Sequence, residues 1–155
     1  MPKSYSKIIA HIFTITLISV IANVVLLFIS RMIFSAPPTF SPFWWSAVIE
    51  LTAAGVVAAG AVYYAMAYVW RRRLPSRSVD TDYVRLSIVL LILSFIPDVL
   101  MPFSHDADNQ GATWPIVAAL MVMHLAAAVI AIYGFGVQGK RRILKTAGSV
   151  SDSAQ

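Results

Sequence analysis

Four long stretches of apolar residues dominate the sequence and leave few folds open to it. They cover residues 8–30, 44–70, 84–103 and 115–137. A helix of about 20 apolar residues crosses the hydrocarbon core of a bilayer. The third stretch is the shortest, since Pro102 ends it and Arg85 lies near its start. We therefore predict an all-α protein, a bundle of four transmembrane helices.

The composition agrees with a lipid environment. Of the 155 residues, 59% are hydrophobic and only 12% are charged, whereas soluble domains carry about 25% charged residues. A single transmembrane domain is expected over residues 1–145. Residues 146–155 are small and polar, and we expect them to form a disordered cytoplasmic tail.

The positions of the basic residues predict the orientation. Of the 12 lysines and arginines, all except Arg31 lie before the first stretch, between the second and third or at the very start of the third, or after the fourth. Basic residues concentrate on the cytoplasmic side of membrane proteins. Both termini are therefore expected in the cytoplasm, with the helices forming two antiparallel hairpins in the plasma membrane. Trp44, Trp45 and Trp114 would then mark the outer interface.

Several functional classes are excluded or demoted by the sequence. The net charge of +5 resides in clusters beside apolar stretches, which favours contact with anionic lipid headgroups over nucleic acid. The absence of cysteine excludes disulfides and thiolate metal sites. Motifs of metalloproteases, hydrolases and P-loop proteins are missing, so an enzyme is not expected.

The histidines do not indicate a cofactor. His11 and His124 would lie about 15 Å apart along the membrane normal, too far for a bis-histidine haem. His105, Asp106 and Asp108 form a polar loop segment, but a hard-cation site needs more organised ligands than these. No cofactor and no metal are therefore predicted.

Each of the four stretches contains a strongly polar residue at a comparable depth. Asn23, Glu50 and Asp98 are expected roughly 7–11 Å inside the outer ends of their helices, and His124 about 14 Å. Polar residues within a bilayer are costly and are frequently functional. Ser94 shares a helix face with Asp98, so the predicted polar cluster has five members.

Two interpretations of this cluster stay open at this stage. In the structural one, Glu50 pairs with Arg31, Asp98 satisfies backbone groups near a helix kink at Pro97, and His124 makes an ordinary interhelical hydrogen bond. In the functional one, these groups converge on a polar cavity that opens to the outer side. The kink is expected because proline removes a backbone donor within the helix.

Two short segments together resemble a known family. They are Leu93-Ser94-Phe95-Ile96-Pro97-Asp98 in the third stretch and Leu120-Met121-Val122-Met123-His124-Leu125-Ala126-Ala127-Ala128 in the fourth. With the basic cluster at residues 71–73, they resemble a family of small bacterial four-helix membrane proteins whose function is not established. The resemblance covers residues 8–142 and implies four helices and a role for Ser94, Pro97, Asp98 and His124.

Three functions compete on this basis. The first is a structural or accessory membrane protein, or a homo-oligomer whose helices associate through small residues such as Gly55 and Ala59. The second is a small proton- or ion-coupled transporter that uses Glu50 and Asp98. The third, ranked last, is an intramembrane enzyme built on Asp98 and His124. The sequence predicts no particular small-molecule ligand.

Overall fold

The computed structural model describes residues 3–34, 40–73, 78–104, 106, 109 and 112–137, with the side chains of residues 3–5 and 71 excepted. Over these residues the protein is helical and contains no strand. The helices are α1 (Lys3–Ile33), α2 (Trp45–Arg73), α3 (Val79–Leu100) and α4 (Trp114–Ala131). Each includes a segment long and apolar enough to cross a membrane, which confirms the prediction of four such helices. The predicted tail at residues 146–155 lies outside the described residues.

Helix α3 begins five residues before the predicted residue 84, for a local reason. Ser78 precedes it in an extended conformation and accepts a hydrogen bond from the Thr81 backbone N–H at 3.5 Å. Asp80 and Asp82 lie in the first turn, where negative charge is favourable because of the helix dipole. These charged residues extend the helix rather than end it.

The other end of α3 agrees more closely with the prediction. The helix continues through Pro97 to Leu100 and is followed by a 3-10 turn, Met101–Phe103, that contains Pro102. Helix α4 continues past Ala131 as a π-helical segment, Ile132–Val137. Such segments are rare in proteins.

Glycines allow the closest helix contacts. A Cβ atom added to Gly60 of α2 would lie 2.9 Å from Cζ of Phe135 and 3.0 Å from Cγ1 of Ile12. A Cβ atom added to Gly134 would overlap Cδ1 of Ile15. These two glycines therefore let α1, α2 and the π-helical segment pack closely. Gly55, expected in a contact seam, instead has open space beside it.

Helix α1 packs mainly against α2 and α4, whereas α3 packs mainly against α4 and its π-helical segment. Two buried apolar clusters result. One contains Leu27 and Leu120, and the other contains Ile15 and Phe135. Large apolar side chains such as Phe13, Leu51 and Ile92 remain exposed on the outside of the bundle.

Candidate functional site

A groove lies between α2 and α3, with α4 forming its floor. Its cavity volume is about 390 Å³, within the range of small-molecule sites. Its walls are mainly aliphatic and small, and they include Leu51, Gly55, Ala58, Leu86, Leu90 and Ala127. The groove exists because α3 packs more closely against α4 than against α2, and because Gly55 has no side chain to fill it.

The first polar pair on the groove joins α1 to α2. Asn23 Nδ2 donates a hydrogen bond to Thr52 Oγ1 at 2.9 Å, and Asn23 is only 4% exposed. Asn23 Oδ1 is buried and accepts no hydrogen bond from a described residue. Both residues line the groove. Ser19, one turn from Asn23, is also buried, so the face of α1 that carries both residues points into the bundle.

The second polar pair joins α3 to α4. His124 Nδ1 lies 3.0 Å from Asp98 Oδ2 and 3.1 Å from the Leu120 carbonyl oxygen. The Asp98 side chain is 4% exposed and that of His124 is 44% exposed. The imidazole is aligned for a hydrogen bond with the carbonyl, so Asp98 Oδ2 accepts no well-aligned hydrogen bond from the described residues. Both residues line the groove.

Ser94 and Pro97 differ in their relation to this pair. Ser94 lines the groove, but its hydroxyl donates to the Leu91 carbonyl oxygen at 2.7 Å. Such back-bonding is a common way for serine to satisfy itself within a helix. Pro97, the predicted kink, is exposed and does not line the groove.

Glu50 does not join the other members of the predicted cluster. It is exposed on α2 and is absent from the groove lining. Nor do the described residues form the proposed ion pair between Arg31 and Glu50. The Arg31 guanidinium instead donates to the Phe43 carbonyl oxygen and lies 5.2 Å from the ring centroid of Trp45. The contacts that Arg31 makes are thus with the segment leading into α2.

Thr52 is the member of the site that sequence reasoning missed. Residues two positions apart point about 200° away from each other around a helix. Glu50 and Thr52 therefore face opposite sides of α2, and only one of them can meet Asn23. The signal that could have identified Thr52 is its place two residues beyond Glu50, on the face that carries Val56 and Ala59.

A further set of polar contacts lies at the other end of the bundle. Tyr63 donates to Asp80 Oδ1 at 3.0 Å, and Trp70 donates to Asp82 Oδ2 at 3.0 Å. These bonds join α2 to the start of α3. His11 Nδ1 lies 2.7 Å from the Tyr64 hydroxyl, and this contact joins α1 to α2. The contacts fasten the three helices together at the end of the groove remote from Asp98.

The groups that could hold a metal are few. Among the described residues, no three histidine or acidic side chains lie close enough together to bind a metal ion. Two members of the candidate loop segment, His105 and Asp108, lie outside the described residues. The site as described is therefore a mainly aliphatic groove with two polar pairs.

No protein-family model, curated protein or solved structure matches this chain. The resemblance at residues 93–98 and 120–128 accordingly stays a prediction. The function is therefore inferred from the groove itself.

Proposed function

We propose that this protein is an integral membrane protein that binds a mainly apolar small molecule in the groove between α2 and α3. The observation that carries the proposal is the groove of about 390 Å³, aliphatic along its walls and polar at Asn23, Thr52, Asp98 and His124. A site of this kind, largely apolar with a few placed polar groups, is typical of ligand binding.

The membrane location is supported by the surface of the bundle. Large apolar side chains are exposed along all four helices, among them Phe13, Leu51 and Ile92, and so extensive an apolar surface would be unfavourable in water. In the apolar part of α3 that is long enough to cross a membrane, only 6% of the residues are buried inside the protein. An apolar helix with so little of its surface covered is suited to lipid contact.

The geometry favours binding over the other functions considered. A transporter that couples ions through Glu50 and Asp98 would need these two groups in one site, and Glu50 lies outside the groove. A structural role within a single chain explains the two polar pairs but not the open space beside Gly55, which in a homo-oligomer would have to be filled by a second copy. An enzyme built on Asp98 and His124 would need a reacting group beside that pair, and the Ser94 hydroxyl, on the same helix face as Asp98, is engaged by its own helix.

The proposed topology is tested with reporters. A reporter fused after Lys145 is expected to be cytoplasmic, and one inserted at Ala107 is expected to be external, because all basic residues except Arg31 lie on the side of the termini. The measurement is alkaline phosphatase and fluorescent-protein activity in intact cells. An external carboxyl terminus would contradict the orientation, and release of the chain by carbonate washing would contradict membrane insertion.

The groove itself is tested by blocking it at Gly55. A diazirine-bearing decanol is photolysed with the protein in phosphatidylcholine nanodiscs, and labelled peptides are identified by mass spectrometry. Labels are expected on α2 and α3 residues that line the groove. The Gly55→Leu variant should reduce this labelling several-fold, because the leucine side chain enters space that holds no other atom within 4 Å of the added Cβ.

The matched control is Ala54→Leu, one residue away on an exposed position that does not line the groove. It adds a leucine to the same helix and should leave labelling unchanged. Equal labelling of wild type and Gly55→Leu would refute ligand binding in the groove. Equal loss in both variants would show a general effect on α2 and would also refute it.

A further inference from the structure

Two buried oxygen atoms on residues that line the groove share one chemical property. Asn23 Oδ1 and Asp98 Oδ2 are both buried, and neither accepts a well-aligned hydrogen bond from the described residues. Both are hydrogen-bond acceptors. In a low-dielectric setting an unsatisfied polar group is costly. A molecule that completes this site therefore has to present hydrogen-bond donors.

The charge on the groove narrows the choice of donor. Among the described residues, its lining contains one acidic residue, Asp98, and one histidine, and it contains no lysine or arginine. His124 is 44% exposed and directs its Nδ1 toward the Leu120 carbonyl as well as toward Asp98. A carboxylate accepts hydrogen bonds at about four lone-pair positions, so Asp98 has capacity left when His124 is in contact with it.

The shape of the groove indicates the rest of the ligand. From Asp98 to Leu86, the lining of α3 extends for roughly 18 Å at the rise of a helix. Over this distance the exposed wall is formed by Leu90, Leu91 and Leu86, and the facing wall by Gly55 and Ala58. An extended alkyl chain fits such a surface, and its polar end would lie at Asp98.

We propose that the ligand is an amphiphile with a primary or secondary amine, whose N–H groups donate to the carboxylate of Asp98 while its alkyl chain lies along α2 and α3. This inference rests on the proposed ligand binding and adds the chemistry of the head group. An ammonium group supplies several donors and a positive charge, whereas a carboxylate head would place two negative groups together.

The test compares head groups on one alkyl chain. Diazirine-bearing decylamine, decanol, decanoic acid and decyltrimethylammonium are photolysed with the protein in phosphatidylcholine nanodiscs. Labelling of groove peptides is measured after subtraction of the Gly55→Leu background, which corrects for partition into the lipid. The amine is expected to label about tenfold more than the alcohol, since hydrogen bonds to a charged group are stronger than those between neutral groups. The acid should label least.

The quaternary ammonium separates charge from hydrogen bonding. It has the charge but no N–H donor, so it is expected to label less than the primary amine. If the quaternary ammonium and the primary amine label the groove to the same extent, the hydrogen-bond assignment is wrong. A preference for the acid, or no preference among heads, would overturn the head-group proposal while leaving groove binding intact. Absence of groove labelling by every probe would refute both proposals.

Two variants test which residues cause the preference for the amine over the alcohol. Asp98→Asn conserves the side-chain shape but removes the charge, and should reduce the ratio of amine to alcohol labelling to near one. Asn23→Leu should lower amine labelling less, because Asp98 stays in place. Each variant is first shown to elute as wild type in size-exclusion chromatography. A ratio unchanged in a well-folded Asp98→Asn variant would overturn the role of Asp98, and the comparison of heads on the wild type is decisive if that variant does not fold.

Discussion

Replacement of His124 by leucine is expected to lower the free energy of unfolding by about 1–3 kcal/mol, the cost of leaving a buried polar group without its partner. The reason is the asymmetry of the pair. The Asp98 side chain is 4% exposed and that of His124 is 44% exposed. Removal of His124 therefore leaves a buried carboxylate without the group that lies 3.0 Å from it.

The reverse replacement should cost less. Asp98→Leu leaves an imidazole that is partly exposed and still within 3.1 Å of the Leu120 carbonyl oxygen. The double variant Asp98→Leu with His124→Leu should also be more stable than His124→Leu alone, because no buried charge is left over. Unfolding in detergent, followed by circular dichroism under increasing sodium dodecyl sulfate, gives the three free energies.

A matched control separates the loss of the contact between Asp98 and His124 from a change in side-chain packing. His124 also contacts Phe95, with ring centroids 6.4 Å apart, and leucine would change that contact. His124→Gln retains a donor at this position and should lose less stability than His124→Leu. If Asp98→Leu proved as damaging as His124→Leu, the assignment of the cost to an unpaired buried carboxylate would fail.

The helices could be predicted from sequence because a single property decides them. Apolar length alone marks a helix that can cross a membrane, and all four were found. Helix α3 starts at Val79, before the predicted residue 84, because apolar length does not extend over the charged first turn that contains Asp80 and Asp82. The two acidic residues follow the N-cap residue Ser78 and lie in the first turn of the helix. This helix start can be predicted from sequence only if the serine and the two acidic residues are recognised as an N-terminal capping pattern.

The site could be predicted only in part. Asn23, Asp98 and His124 share a depth, and depth follows from counting residues. The side of a helix on which a residue lies is harder to determine when apolar residues surround the helix on all faces. Helix α2 is of this kind, so Glu50 was predicted to face inward while Thr52 occupies the inner position. Which neighbouring helix each polar residue contacts depends on tertiary packing. The spacing of residues within one helix gives no information about that packing.

A second large effect is expected at Gly134, in the π-helical segment. A Cβ atom there would overlap Cδ1 of Ile15 and lie 3.0 Å from its Cγ1 and 3.3 Å from its Cγ2. Three atoms of one side chain are in the way, and Ile15 is only 6% exposed, so a rotation of its terminal methyl group would not relieve the overlap. Gly134→Val should therefore lower the free energy of unfolding by about 1–3 kcal/mol, as overpacking does in well-packed cores.

The same detergent unfolding assay compares this effect with a substitution at Gly55, a glycine that has open space beside it. Gly55→Ala places its Cβ atom where no atom lies within 4 Å and should leave stability unchanged or slightly higher, since alanine favours a helix over glycine. The cause is isolated by the double variant Ile15→Ala with Gly134→Val. Because Ile15→Ala removes the side-chain atoms that a Cβ at Gly134 would meet, the loss of stability in the double variant should be smaller than the sum of the losses in the two single variants. Additive losses would show that Gly134 matters for the π-helical backbone itself, and not for the close approach of α1.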